Sequence, residues 1–201
     1  MREKIAIVDC GTGNLASVSN AFRFIGARVE IVSTPQELRK AQRIVLPGVG
    51  AFGYFMEELR ARGLEKPLLE AIAQKKPCLG ICLGMQVLFE GSEESPQAGG
   101  LGILKGNVVR FRRGKVPQVG WNNVLPEKSG GLLAQGYAYF TNSYYCAPQE
   151  GKWVAGRSDY FGNFACAVQK ENVFAVQFHP ERSGEYGLEL LRRWAECSGK
   201  G

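Results

Sequence analysis

The stretch Pro77–Phe89, PCLGICLGMQVLF, holds a short apolar run followed by a second apolar run at helical spacing. The first run, Pro77–Ile81, predicts a buried strand, and the second, Leu83–Phe89, predicts a helix. Only Cys82 separates the two, so the chain must turn sharply from strand to helix at that residue. A strand followed directly by a helix is the repeating unit of α/β folds, and this stretch therefore indicates the fold class.

The same alternation precedes this stretch along the first half of the chain. Three apolar runs predict strands, at Lys4–Val8, Ala27–Val32 and Arg43–Leu46. Three runs with apolar residues at helical spacing predict helices, at Leu15–Ile25, Phe52–Arg60 and Leu68–Gln74. This order predicts a parallel sheet with helices on both faces.

The second half changes character after a glycine-rich segment, Gly99–Gly106, which predicts a loop. Five short runs bounded by turn residues predict strands, several of them antiparallel, at Asn107–Phe111, Tyr137–Phe140, Trp153–Ser158, Phe164–Val168 and Val173–Phe178. Gly187–Cys197 predicts a closing helix. The expected fold is α/β, with a mixed, mostly parallel, flavodoxin-like central sheet in a single domain spanning residues 1–201.

Composition narrows the classes of protein to consider. The chain has 201 residues, a net charge of +6 and six cysteines. It has no apolar run near the ~20 residues of a membrane helix and no N-terminal signal pattern, so we expect a cytoplasmic protein with free thiols and no membrane contact. A single histidine and one close cysteine pair, Cys78 and Cys82, argue against a metal site.

A basic run at residues 110–115 is typical of a solvated face, although an acidic partner or a phosphate remains open as its contact. Nothing else in the chain indicates a nucleic-acid-binding module.

Cys82 is the candidate nucleophile. Gly80 and Gly84 flank it in the G-x-nucleophile-x-G pattern of a nucleophile elbow. Glycines at these positions let neighbouring backbone approach without a Cβ clash, and a helix N-terminus favours the thiolate. The alternative is a buried, inert thiol, which we retain for Cys78 inside the preceding strand.

The only histidine, His179, is the candidate base, because a thiol nucleophile for acyl transfer usually needs one. It ends an apolar strand, and Pro180 favours an extended backbone at His179. Glu181 follows two residues later, where its carboxylate can orient the imidazole as the third member of a triad. A purely structural histidine is the alternative.

A candidate oxyanion hole follows the third predicted strand, at Pro47–Gly50. An amide N–H of Val49 or Gly50, together with that of Leu83 after the nucleophile, can hold a tetrahedral oxyanion. An ordinary turn at the end of a strand explains the same glycines.

Nucleotide binding is an alternative hypothesis, because Gly11–Ala16 matches the G-x-G-x-x-A dinucleotide-binding pattern. The acidic residue expected about 20 positions later is poorly matched, because Glu30 lies inside the second predicted strand. A tight turn that presents backbone to a neighbouring chain accounts for these glycines as well.

Two motifs, Gly80–Gln86 and Phe178–Glu181, together resemble the class I (triad) glutamine amidotransferases. Within that class, four segments are similar to the glutaminase subunits of imidazole glycerol phosphate synthase: Asp9–Asn14, Pro47–Phe52, Gly120–Asn122 and Phe178–Ser183.

The resemblance implies that Cys82, His179 and Glu181 hydrolyse L-glutamine to glutamate and ammonia without a cofactor. It also implies delivery of the ammonia to a (β/α)8-barrel cyclase subunit in a heterodimer. That partner forms imidazole glycerol phosphate, for histidine biosynthesis, and an aminoimidazole carboxamide ribonucleotide.

The resemblance further assigns binding residues. Those matching glutamine-binding positions are Gln86, Glu94, Ser143 and Tyr144. Those matching partner-interface positions are Gly11, Asn14, Trp121, Tyr139 and Arg182. Three alternatives remain open: a different synthase as acceptor, a non-enzymatic nucleotide-binding regulator, and a silent interaction subunit, which the complete triad disfavours.

Overall fold

The structure, a computed structural model, describes residues 4–11, 14–128 and 131–197. Within this part of the chain, the helices are α1 (Leu15–Phe24), α2 (Pro35–Lys40), α3 (Phe52–Ala61), α4 (Glu65–Ala73), α5 (Leu83–Gln86) and α6 (Gly184–Glu196). None of these helices has the length and apolar composition needed to cross a membrane. Short 3-10 turns lie at Gly151–Trp153 and Pro180–Arg182.

The strands of the described residues form one 12-stranded mixed sheet. They are β1 (Ile5–Val8), β2 (Val29–Val32), β3 (Arg43–Gly48), β4 (Cys78–Cys82), β5 (Gly91–Ser92), β6 (Gly106–Arg110), β7 (Gln118–Pro126), β8 (Gly136–Asn142), β9 (Tyr144–Pro148), β10 (Val154–Asp159), β11 (Asn163–Lys170) and β12 (Val173–Val176). The main order is β2-β1-β3-β4-β12-β11-β10-β7-β8, and β9 joins β11 to β6 and β5. The strands from β2 to β12 in this order are parallel, and β11, β10, β7 and β8 extend them in antiparallel pairings.

Helices cover both faces of the parallel strands, as the alternation of buried side chains along β1 shows. Ile5 and Ile7 share a core cluster with residues of α1 and α6. Ala6 and Val8 share the other cluster with residues of α2, α3 and α4. Successive side chains of a strand point to opposite faces, so the expected α/β architecture with helices on both sides of the sheet is confirmed.

Several elements differ from the sequence-based expectation. The helix α2 was not predicted, because six residues are too few to show a helical period, although Thr34 and Glu37 form a capping box at its start. The strands β5, β7 and β9 were not predicted either. In β7 the apolar side chains of Val119 and Trp121 are exposed, so the pattern does not look like a strand covering a core. The helix predicted over Leu83–Phe89 ends at Gln86.

The turn from β4 into α5 packs directly against the neighbouring strand. A Cβ added to Gly84 would lie 1.7 Å from the carbonyl oxygen of Leu46 in β3, and one added to Gly80 would lie 2.7 Å from the carbonyl oxygen of Gly84. Distances under 3.0 Å are not tolerated by real Cβ atoms. Glycine at both positions is therefore a steric requirement for holding Cys82 at the end of β4.

We expect Gly84→Ala to destabilise the protein, because its Cβ meets backbone that cannot move without displacing β3. The expected loss is about 1–3 kcal/mol or more in the free energy of unfolding, measured by urea titration. Gly151→Ala is the matched control, since its Cβ would enter open space; its effect should stay within about 0.5 kcal/mol. Equal losses in the two variants would contradict the packing argument.

Candidate active site

Cys82 occupies the turn between β4 and α5 in a strained conformation. Its φ of 55° and ψ of −108° lie in a region that side chains other than glycine rarely adopt. The strand before it is held on one side by the Gly48–Cys82 pairing with β3, and the side chain is 7% exposed. Because α5 has only four residues, the helix dipole expected to favour the thiolate is that of a single turn.

His179 follows β12 and is held through its backbone. Its N–H donates to the Tyr139 carbonyl at 2.9 Å, and the Ser183 hydroxyl donates to the His179 carbonyl at 2.6 Å. The Tyr139 N–H in turn donates to the Ser183 oxygen at 2.9 Å. The side chain is 3% exposed, so the position of the imidazole is set by β8 and by the turn that begins at Pro180.

Glu181 lies against the imidazole, as the two-residue spacing predicts. Its Oε1 is 2.7 Å from Nδ1 of His179, and its side chain is fully buried. The Asn14 amide donates to the same oxygen. A proton on Nδ1 serves this contact, which leaves Nε2 for the thiol, and Nε2 has no hydrogen-bond partner among the described residues.

The electrostatic environment of His179 favours the protonated ring. Burial alone lowers the pKa of His179, but the Cys82 sulfur and the Glu181 carboxylate act in the opposite direction and raise it above 6.5 overall. An imidazole with a raised pKa readily accepts the proton that leaves a thiol.

Other cysteines are in environments that suppress the thiolate. Burial raises the pKa of Cys10 and of Cys78 to about 12. It also raises the pKa of Cys146 and Cys166 well above the ordinary range. The interpretation of Cys78 as an inert strand residue agrees with this environment.

A cavity of about 310 Å³ opens onto Cys82 and His179. Its wall brings together the residues predicted for the oxyanion and the substrate: Val49, Gly50, Leu83, Gln86, Glu94, Ser143 and Tyr144. Gly50 has a φ of +104° with open space at its Cβ position. Pro117, Thr141 and Asn142 also line the cavity and were not predicted, because they follow no motif and arrive through β7 and β8. A larger cavity of about 440 Å³ lies beside Trp153 and Phe174, and no triad residue lines it.

Two polar side chains of this wall have contacts that the sequence did not indicate. Glu94 accepts a hydrogen bond at 2.8 Å from the N–H of Phe52, at the start of α3. Gln86 donates to the Tyr144 carbonyl at 3.2 Å and to Oε1 of Gln177 at 3.0 Å. Gln177 in turn donates to the Cys82 sulfur at 3.6 Å. The sequence analysis did not single out Gln177, because one polar residue within an apolar strand run matches no motif.

Three of the residues predicted for the partner surface form one cluster beside His179. The guanidinium of Arg182 lies 4.6 Å from the centre of the Tyr139 ring, and Trp121 meets that ring edge to face at 6.3 Å. Trp121 is 57% exposed. The remaining two, Gly11 and Asn14, both have positive φ, at 72° and 84°.

The structure describes only part of Gly11–Ala16, the segment on which the nucleotide-binding hypothesis rests, because Thr12 and Gly13 lie outside the described residues. Glu30, the candidate acidic residue of that pattern, forms an ion pair with Lys4 and pairs with Ala6 in mid-strand. Its carboxylate is therefore away from the carboxyl ends of the strands, where such sheets bind nucleotides.

Comparison with known proteins matches the chain to a family. Residues 6–196 match the model of the glutamine amidotransferase class-I family. The chain is 48% identical to the imidazole glycerol phosphate synthase subunit HisH of Methanothermobacter thermautotrophicus, over 96% of this chain and 98% of the relative. It is 48% identical to the HisH of Thermococcus kodakarensis, over 94% of this chain and 98% of the relative.

Solved structures agree on the fold. The structure of PurLQS from Thermotoga maritima matches with a TM-score of 0.79 at 20% identity, over 96% of this chain and 97% of that chain. A crystal structure of a glutamine amidotransferase matches with a TM-score of 0.73 at 21% identity, over 92% of this chain and 98% of that chain. At these identities the likeness concerns the fold alone.

We expect iodoacetamide to alkylate Cys82 faster near neutral pH than it alkylates Cys10, Cys78, Cys146 or Cys166, whose thiolates are suppressed by burial. His179→Ala should slow the Cys82 reaction by about tenfold or more, and Glu181→Gln should slow it less, because the base remains but its carboxylate partner is neutral. Peptide mass spectrometry gives the rate at each cysteine. The assignment is wrong if Cys82 reacts no faster than the buried thiols, or if His179→Ala leaves its rate unchanged.

Proposed function

Because the chain belongs to the class-I glutamine amidotransferase family, we propose that it hydrolyses L-glutamine to glutamate and ammonia as a subunit of imidazole glycerol phosphate synthase. The observation that carries the proposal is the buried contact between His179 Nδ1 and Glu181 at 2.7 Å, with His179 and Cys82 on the wall of one cavity. That cavity also holds polar side chains suited to an amino acid.

The first half of the proposed reaction forms a thioester. Nε2 of His179 takes the proton from Cys82, and the thiolate attacks the side-chain amide carbon of glutamine. The N–H groups of Leu83 and of Val49 or Gly50 stabilise the oxyanion, and one such donor is typically worth about 10²–10³ in rate. Protonated His179 then gives its proton to the leaving nitrogen, the C–N bond breaks, and ammonia departs.

The second half regenerates the enzyme. His179 removes a proton from water, the resulting hydroxide attacks the thioester carbon, and the Cys82 sulfur leaves as glutamate forms. The balance is one water consumed for each glutamine, with one ammonia and one glutamate released. Glu181 holds the imidazole in one tautomer throughout and stabilises its charged form.

The polar ends of glutamine are assigned to the far wall of the cavity. We place the amino group against the Glu94 carboxylate and Oε1 of Gln86, and the carboxylate group beside the backbone of Ser143 and Tyr144. Glu94 already accepts the N–H of Phe52, and a carboxylate has capacity for further hydrogen bonds, including one from an ammonium group.

The ammonia acceptor we propose is a (β/α)8-barrel cyclase subunit, bound as a heterodimer, that forms imidazole glycerol phosphate and an aminoimidazole carboxamide ribonucleotide in histidine biosynthesis. Its docking surface is the exposed cluster of Trp121, Tyr139 and Arg182, together with Gly11 and Asn14. An exposed tryptophan in contact with a half-buried tyrosine and its stacked arginine is a composition typical of interface centres. The chain acts as one domain in a cytoplasmic complex.

Cys82→Ser should abolish glutamine hydrolysis, because the hydroxyl is a far weaker nucleophile than the thiolate. The complex of this variant with the barrel subunit should still use free ammonia, since production and use of ammonia occur at separate sites. Both rates are measured in the reconstituted complex. The control is Cys197→Ser, which changes the half-buried thiol directly after α6 and should leave both rates unchanged. Glutamine-dependent turnover by the Cys82 variant would remove this residue from the mechanism.

Arg182→Ala should reduce ammonia transfer to the partner more than glutamine binding, because its guanidinium lies on the docking cluster and not on the cavity wall. Arg28→Ala, at the opposite, amino-terminal end of the parallel strands, is the matched control. The measurement is the ratio of product formed to glutamine hydrolysed.

The same assay tests coupling between the subunits. We expect poor hydrolysis by the isolated chain and a large increase with the ligand-bound partner, because a peptide next to Gly50 can rotate between two states that the partner biases. Equal turnover in the isolated chain and in the complex would refute the coupling.

A further inference from the structure

Gln177 is a fully buried amide that belongs neither to the triad nor to the predicted substrate contacts. Its side chain is 0% exposed, and its Nε2 donates to the Cys82 sulfur at 3.6 Å. We propose that Gln177 is a positioning residue, an inference that rests on the function proposed above. Its amide holds the Cys82 sulfur at the cavity wall and stabilises the thiolate by a hydrogen bond from a neutral donor.

The strand register explains why Gln177 meets the nucleophile. The parallel strands β12 and β4 pair from Val173 and Cys78 to Val176 and Ile81. The next position on each side is Gln177 and Cys82, so the two side chains emerge next to each other at the carboxyl ends of adjacent strands. In an extended segment, alternate residues share a face, and His179 therefore follows Gln177 toward the same sulfur.

The orientation of the amide is fixed by a second contact. Oε1 of Gln177 accepts a hydrogen bond at 3.0 Å from Nε2 of Gln86. Nitrogen and oxygen of an amide are distinguished by such partners, and the donor on Gln86 requires the oxygen of Gln177 on its side. The NH₂ group of Gln177 must then face the sulfur.

Gln86 connects this pair to the cavity. It is the last residue of α5, four positions after Cys82, and it also donates to the Tyr144 carbonyl at 3.2 Å. Both Gln86 and Tyr144 line the 310 Å³ cavity. A chain of hydrogen bonds therefore runs from the cavity wall through Gln86 and Gln177 to the nucleophile.

The Gln177 amide can stabilise the Cys82 thiolate at steps of the reaction where His179 does not. A buried amide costs free energy unless its groups are bonded, and the backbone pairing of Gln177 with Cys166 needs no polar side chain. The thiolate forms before attack and again when the thioester is hydrolysed, and a donor near a buried anion replaces lost water. His179 gives its proton to the leaving nitrogen between these events, whereas the N–H of Gln177 remains available at each one.

The test uses the full chain with two substitutions, Gln177→Leu and Gln177→Glu. Leucine removes the donor, and glutamate keeps an acceptor toward Gln86 but places a carboxylate at the sulfur. The rate of Cys82 alkylation by iodoacetamide is followed over a pH series by peptide mass spectrometry. We expect the pH of half-maximal rate to rise by about one unit for leucine and by more for glutamate.

Gln118→Leu is the matched control, because it removes another buried amide, one whose Oε1 has no hydrogen-bond partner among the described residues. A general loss of packing would lower thermal stability in all three variants without moving the pH of half-maximal alkylation. In complex with the barrel subunit, kcat for glutamine should fall about tenfold in the Gln177 variants, with a smaller change in KM.

The inference is overturned if both Gln177 variants keep the wild-type pH of half-maximal alkylation, or if the Gln118 variant shifts by the same amount. The glutamate variant is nearly isosteric and carries the measurement if the leucine variant fails to fold. Alkylation needs neither glutamine nor the partner, so its result is separate from the proposed function. A wild-type complex without glutaminase activity would refute that function, whereas an active wild type with unshifted variants would refute only the role of Gln177.

Discussion

The register of β4 between β3 and β12 is the constraint on which the site depends. On one side Gly48 pairs with Cys82, and on the other Val176 pairs with Ile81. Both neighbours are parallel to β4, so their carboxyl ends arrive at the same edge of the sheet as the nucleophile. The proposed oxyanion segment follows β3, and His179, the proposed base, follows β12. A slip of one residue in either pairing would turn Cys82 toward the opposite face, and Gly84 prevents such a slip by fitting against the Leu46 carbonyl.

The same edge must hold charge in a buried environment. His179 and Glu181 are both buried, and an unpaired charge there would be costly. The charge of the Glu181 carboxylate is compensated by direct contact with His179 and by a hydrogen bond from the Asn14 amide. Both contacts are made to Oε1 of Glu181. Since α5 is a single turn, the thiolate of the proposed reaction would depend on the imidazole and on the amide of Gln177 for stabilisation. The site is therefore organised by the side chain of Asn14 just before α1, by α5 and by the segment after β12, on a frame set by β3 and β4.

Short stretches of sequence were enough to predict those parts of the fold and of the site that are formed by neighbouring residues in the chain. The apolar runs predicted β1, β3 and β4 closely, and the glycines around Cys82 and the carboxylate after Pro180 predicted the elbow and the orienting residue. Longer-range features were not accessible. The strand β7 exposes Val119 and Trp121 and buries the polar Gln118, so its sequence does not show the alternation of a strand that covers a core. The wall formed by Pro117 and Thr141 depends on β7 and β8 folding back toward Cys82. Gln177 was missed because only the β12–β4 register brings it to the sulfur.

Tyr139 links the exposed cluster to the base through two different groups. Its ring carries the Arg182 guanidinium and meets Trp121, while its carbonyl accepts the N–H of His179. Its own N–H is bonded to Ser183, whose hydroxyl holds the His179 carbonyl. A partner docked on this ring, as proposed, would therefore act on a residue that also fixes the backbone of His179. If docking changes the position of β8, it changes the position of His179 as well, and by thermodynamic reciprocity a substrate that orders His179 strengthens docking to the same degree. Coupling between the two surfaces then needs no long pathway, because one residue belongs to both.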